Sequence, residues 1–439
     1  MILQAGPEST AEGWGWTRPG TAWAAVVLLG LSVVGLAGCS SSTPGSQAGR
    51  TTVASSAPTS LATSTSGSTA PTTTVPPAAH GVEAAGSAVP WSEVGPGWFL
   101  AVWGPAPAVQ PGSNSQDVQA FEQQTTTLYL VDPLGGRYNI TSLPPPQNRT
   151  LSDWSGDGRR ALFSAPGTDP NVAQTVVTEI DLATGRTLHQ LTLAGGVSVS
   201  YTRPLGLALL VADSVSPASL TRIGLDGTQQ LAYPTALGRA GTFDGTVLPG
   251  LDGTDLVLGS TDGLARVGND GTRLDPLTTP AGSSHCNPVR WWTPTVVLAS
   301  CNSTDQPGPQ LWLLPVSGGA PTMVAATPVS PDLGDLDAWA LGAGTYVLAA
   351  GGCGSVYLAK LNPDRTTSPF PVPGVASGDS VWVEGTHDNR LALQASLGCG
   401  GGQSLFWFDP VGSTETVLLG PPLNGGAVVR VLAYPGLPG

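Results

Sequence analysis

Only one lysine, Lys360, occurs in 439 residues, and charged side chains make up just 11% of the chain. Basic residues number 17 against 30 acidic ones, giving a net charge of −13 at pH 7 with no basic cluster. Nucleic acids and anionic lipid surfaces are recognised through a basic footprint, so neither is a partner class for this chain. Long stretches with apolar residues at helical spacing are missing, which argues against an alternation of strands and helices. No H-E-x-x-H, G-x-S-x-G, P-loop or close Cys-x-x-Cys pattern is present, so the common signatures of zinc, serine-hydrolase and nucleotide sites are lacking. Gly398–Gln403 is glycine-rich, but no helix follows to cradle a phosphate, and it reads as a loop.

The N-terminus carries an address. After Arg18 comes an apolar run from Ala22 to Leu36, closed by Ala37, Gly38 and Cys39. A charged start, an apolar middle and small residues before a cleavage point make a signal peptide. The alternative is a retained membrane helix, but the run falls short of the roughly 20 residues a span requires. Leu36-Ala37-Gly38-Cys39 resembles the lipobox of bacterial lipoproteins. That resemblance implies cleavage before Cys39, lipidation of its thiol by palmitate-type chains, and display on the outer face of the cell membrane. Residues 40–80 then contain 10 Ser, 10 Thr and 5 Pro with Arg50 as the only charge. Such a segment has nothing to bury and cannot offset its ordering entropy; as a flexible coil it reaches roughly 35 Å on average. The expected layout is a signal peptide at 1–38, a disordered tether at 39–80 and one folded domain at 81–439.

That domain repeats. Trp154, Tyr201, Leu248, Trp292, Trp339 and Trp382 each precede a tight turn and an apolar strand, at intervals of 43 to 47 residues, and Trp91 begins an earlier copy. A second register comes from turns at Asp132–Gly135, Asp181–Gly185, Leu225–Gly227, Asn269–Gly271, Val316–Gly318, Asn362–Asp364 and Asp409–Gly412. Their Gly, Asn and Asp residues supply the positive φ that hairpins need. Seven starts and seven turns predict an all-β, seven-bladed β-propeller of four-stranded antiparallel blades. Trp154-Ser155-Gly156-Asp157-Gly158 resembles the Trp-Ser-Pro-Asp-Gly signature of TolB-like, WD-related propellers, with Gly156 in place of the proline. The other units keep the aromatic and lose the rest, so the resemblance implies fold and not function. The aromatic is read as a packing residue between blades, with ligand stacking as the alternative. The C-terminal run Val428–Tyr434 is expected to pair with the first blade and close the ring, either replacing the Trp91 strand or adding to it.

Four cysteines remain after lipidation, an even number in an oxidising compartment. Cys286 and Cys301 are equidistant from the turn at Thr293-Pro294, so they face each other across one hairpin. Cys353 and Cys399 lie one repeat apart on equivalent loops. The predicted bonds are Cys286–Cys301 and Cys353–Cys399; a cysteine metal site is the alternative.

First-to-second and third-to-fourth strand turns are short, whereas second-to-third strand loops and interblade links are long. In an up-and-down blade the two long sets emerge at one end, which makes that end the candidate binding face, unless insertions simply drift there. His285, Arg239, Arg290, Asp335, Asp337 and Asp379 are the candidate side chains. His285 could act as a base or be an ordinary surface histidine. Asp335, Asp337 and Asp379, with Asp332, could hold Ca²⁺ or form a solvated acidic loop, and each arginine could simply pair with a carboxylate. No other cofactor is implied.

The leading expectation is a monomeric, non-catalytic envelope module binding a protein or glycan through its long-loop face. An extracellular hydrolase or lyase with a metal site on that face is the alternative, and a purely structural envelope component is a third.

Overall fold

The computed structural model describes residues 78–436, apart from 107–122, 146–148, 170, 216, 304–307, 326–332, 352–354 and 398–402. Its regular structure is β-strand with two three-residue 3-10 turns. After β1 (Glu83–Ala85) come β2 (Phe99–Gly104), β3 (Thr126–Val131) and β4 (Arg137–Leu143). A meander follows of β5 (Thr150–Trp154), β6 (Arg160–Pro166), β7 (Gln174–Asp181) and β8 (Arg186–Ala194). The next is β9 (Ser198–Tyr201), β10 (Ala208–Asp213), β11 (Ser219–Gly224) and β12 (Gln229–Ala232). An eight-stranded sheet joins two further meanders. One is β13 (Phe243–Pro249), β14 (Asp255–Ser260), β15 (Gly263–Gly268) and β16 (Leu274–Pro276). The other is β17 (Ser283–Thr293), β18 (Val296–Ser303), β19 (Pro309–Pro315) and β20 (Thr322–Met323). Then come β21 (Gly334–Leu341), β22 (Gly344–Ala350), β23 (Val356–Leu361) and β24 (Thr367–Pro369). The last meander is β25 (Val381–His387), β26 (Arg390–Ser396), β27 (Gln403–Asp409) and β28 (Thr414–Leu419), after which β29 (Ala427–Ala433) returns to β2.

Each meander packs against the next, and β29 touches both β27 before it and β5 after it, so the circuit closes. That is the layout of a β-propeller. Because every sheet is covered on both faces by its neighbours, second strands are buried along most of their length instead of alternating. All six residues of β14 are buried, as are the last five of β22. Outermost strands read the other way: β8 is exposed over its first five residues. The outer strands also carry one-residue bulges, opposite Leu128/Tyr129, Glu179/Ile180, Arg222/Ile223 and Leu405/Phe406. Bulges twist an open edge away from further pairing.

The closing strand settles what the sequence left open. Trp91 does not start a strand; it lies in a turn under the guanidinium of Arg159, 4.7 Å from the ring centroid. The inner strand of the first sheet is β29, paired antiparallel from Ala433↔Phe99 to Ala427↔Gly104. Tyr434 fastens this strand onward, donating its hydroxyl to Gly156 O at 2.9 Å and packing edge-on against Trp154.

The aromatic column is less regular than expected. Trp154 and Tyr201 end their strands and are buried, but in β17 the buried ring is Trp291, with Trp292 half-buried. Trp382 sits near the start of β25, five residues before its turn, and is half-buried.

Candidate functional site

Inner strands converge on a cavity of about 260 Å³ at the end of the ring where the short first-to-second strand turns lie. Two guanidinium–carboxylate pairs stand at its wall. On β17, Arg290 Nε donates to Asp337 Oδ1 of β21 at 2.9 Å, and Nη2 donates to Ala338 O. The guanidinium also lies 4.9 Å from the Trp339 ring centroid and 5.7 Å from that of Trp292. Asp337 is wholly buried, and its Oδ1 takes the Ala338 N–H as well. Between β5 and β9, Arg203 donates Nη2 to Asp153 Oδ1 at 2.7 Å and Nη1 to Trp154 O at 3.1 Å. The N–H groups of Trp154 and Tyr201 complete the Asp153 carboxylate.

Both aspartates follow a bulge in the inner strand, at Leu151/Asp153 and at Asp335/Asp337. An extra residue re-aims the next side chain, here toward the neighbouring meander. Glu384, at a matching bulge in β25, also lines the cavity. Each pair is held by several hydrogen bonds that cross from one meander to the next, so they act first as ties between meanders.

The six sequence candidates therefore part company. Arg290 and Asp337 belong to this short-turn cavity and not to the long-loop face. Asp335 is buried at the start of β21, and Asp379 is exposed on the link before β25. Asp337 is committed to Arg290, and no group of three or more His, Cys, Asp or Glu side chains converges among the described residues. Asp332 lies outside them.

Arg239 and His285 do lie at the long-loop end. Arg239, exposed on the 3-10 turn Gly238–Ala240, lines a shallow cleft of about 220 Å³ with Asp262, Thr278 and Thr279. His285, at the start of β17, has its Nε2 3.5 Å from Asp244 Oδ2 of β13.

Next to it stands the disulfide Cys286–Cys301, which joins directly opposed residues of β17 and β18 as the hairpin register predicts. Cys353, Cys399 and Cys39 lie outside the described residues. Arg203, Asp153, Asp244 and Glu384 escaped sequence reasoning, since their roles depend on bulges and on which strands become neighbours.

No family model matches the chain, and no curated protein does. Among solved structures it is similar to TolB from Acinetobacter baumannii, at 11% identity and a TM-score of 0.38 over 75% of this chain and 88% of that one. The β-propeller domain of the Trilobed protease from Pyrococcus furiosus matches at 12% identity and a TM-score of 0.45, covering 73% and 99%. Pyrococcus horikoshii acylaminoacyl peptidase matches at 11% and 0.45; the chain spans 73% of its own length and about half, 52%, of that enzyme's. Likenesses this remote carry no argument about activity.

Proposed function

We propose that this chain is a lipid-anchored protein of the bacterial envelope, acylated at Cys39, whose seven-bladed propeller binds a protein or glycan partner without catalysing a reaction. The blade count takes the eight-stranded sheet as two blades, because β14 and β17 meet at a single register pair, Ser260↔Cys286. β29 serves as the inner strand of the first blade.

The observation that carries the partner-binding reading is where the chain enters the domain. Ala78 N–H donates to Tyr138 Oη at 2.8 Å, and His80 Nε2 lies 2.8 Å from Val417 O. β1 then runs parallel to β4 from Glu83↔Arg137, beside the turn at Asp132–Gly136. Entry is thus at the short-turn end. A chain held by its N-terminus is held at that end, and the long-loop end stays clear for a partner.

Photo-crosslinking side chains test this in intact cells. Val172, Val215 and Leu333 are exposed at the long-loop end, Leu134, Leu207 and Val411 at the short-turn end. Crosslinkers at the first three should trap one discrete adduct; an adduct only from the second three would move the site to the other face. Cys39→Ala should abolish palmitate labelling and free the protein from the membrane fraction. Label that persists in the variant would overturn the anchor.

A further inference from the structure

The long-loop ends of β13 and β17 bring together donors that neither the ladder nor the core uses. Asp244 is nearly buried, its side chain 11% exposed. Its Oδ1 accepts the N–H and the hydroxyl of Thr246 at 2.8 and 2.7 Å. Its Oδ2 is also buried, yet receives no hydrogen bond. The atom facing it is His285 Nε2, at 3.5 Å, too far for a hydrogen bond. A buried carboxylate oxygen left without a donor is costly, and the neighbouring imidazole stands within ion-pair reach when protonated but beyond a good hydrogen bond. Ligands about 2.1 and 2.2 Å from one tetrahedral ion, however, stand about 3.5 Å apart.

A third donor is in place. Asn287 is two residues beyond His285 and so shares its side of β17. Its Oδ1 lies 3.1 Å from Thr246 Oγ1, but that hydroxyl has one proton, and the shorter contact is to Asp244. The Asn287 carbonyl oxygen therefore keeps lone pairs to give. Thr246 holds the carboxylate as outer-shell partners of metal ligands do. The Cys286–Cys301 bond fixes β17 between the two ligating positions.

We infer that Asp244 Oδ2, His285 Nε2 and Asn287 Oδ1 form a site for one divalent transition-metal ion of the zinc class, completed by water on the solvent side. Imidazole with oxygen donors suits such ions and not calcium, which takes oxygen alone. The site does not depend on the partner-binding reading.

The test uses the full chain after chelator dialysis, with Zn²⁺ followed by calorimetry and Co²⁺ by visible absorption. One equivalent of either ion should bind, with Co²⁺ giving d–d bands. His285→Ala and Asp244→Asn should each weaken binding at least about tenfold, the usual scale for a lost metal contact. His387→Ala, at the short-turn end of β25, should leave it unchanged. Asn287→Asp supplies a carboxylate in place of an amide and should tighten binding, a gain that misfolding cannot imitate. Absence of stoichiometric binding, or binding indifferent to both His285→Ala and Asn287→Asp, would overturn the site.

Discussion

Single residues in this protein hold neighbouring sheets together from the inside. Asp337 is buried and Arg290 mostly so, and removing one member of such a pair leaves an uncompensated charge that typically costs about 3–5 kcal/mol. Asp337→Ala should therefore lower the melting temperature sharply, whereas Arg290→Met combined with Asp337→Leu should recover much of the loss. Equal melting of the single and double variants would show that the pair contributes nothing as a pair. Another residue-scale device recurs in four turns of the form Asp-x-Thr. The Thr N–H and then its hydroxyl hold Asp226, Asp252 and Asp270 below the usual carboxylate range, and for Asp364 the Thr366 hydroxyl leads. A carboxyl lowered on folding adds stability above its unfolded value, lost as pH falls through the folded one. These turns should thus loosen below about pH 4. Asp132, raised by burial against the donors around it, works in the opposite sense. Thr→Val at 228, 254, 272 and 366 together removes the hydroxyls but keeps the N–H donors, and should partly flatten the acid limb of melting temperature against pH; an unaltered limb would remove the hydroxyls from the titration.

At the scale of strands, closure and bracing matter most. β29 contributes Val428 and Val431, both fully covered, and satisfies the inner edge of β2. Truncation after Gly426 should expose that edge and lead to aggregation or a large drop in melting temperature. A truncated protein melting like the parent would make the strand peripheral. The Cys286–Cys301 bond closes 15 residues, for which the chain-entropy model gives about 3 kcal/mol. Cys353–Cys399 remains the expected second bond, and non-reduced peptide mapping checks it: a Cys286–Cys353 or Cys301–Cys399 peptide would mean the repeat register is wrong.

For the molecule as a whole, the proposed arrangement is an anchor, a tether and a closed ring. Arg50 is the only Lys or Arg between Cys39 and Arg137, so it is the tether's single tryptic site. Brief trypsin treatment of membranes should release the intact propeller in soluble form. Protein that stays with the membrane after cleavage at Arg50 would point to a second attachment, and resistance at Arg50 to a tether that is structured or covered.

The all-β class, the repeat length and one disulfide were legible in the sequence because each depends on local chemistry. Asp-Gly and Asn-Asp-Gly turns, apolar second strands and symmetric spacing about Thr293-Pro294 act within a single hairpin. Neither the inner strand of the first sheet nor the composition of the cavity could be read that way. Pairing Ala433 with Phe99 joins residues more than 300 positions apart, and no local pattern marks Trp91 as a turn residue instead of a strand start. The candidate face divided for the same reason. Arg290 sits near the turn end of β17 and His285 at its start, so the two went to opposite ends of the ring, and the bulge before Asp337 turned its carboxylate toward Arg290. Local composition determined that these sheets form; only their closure into a ring decided which side chains meet.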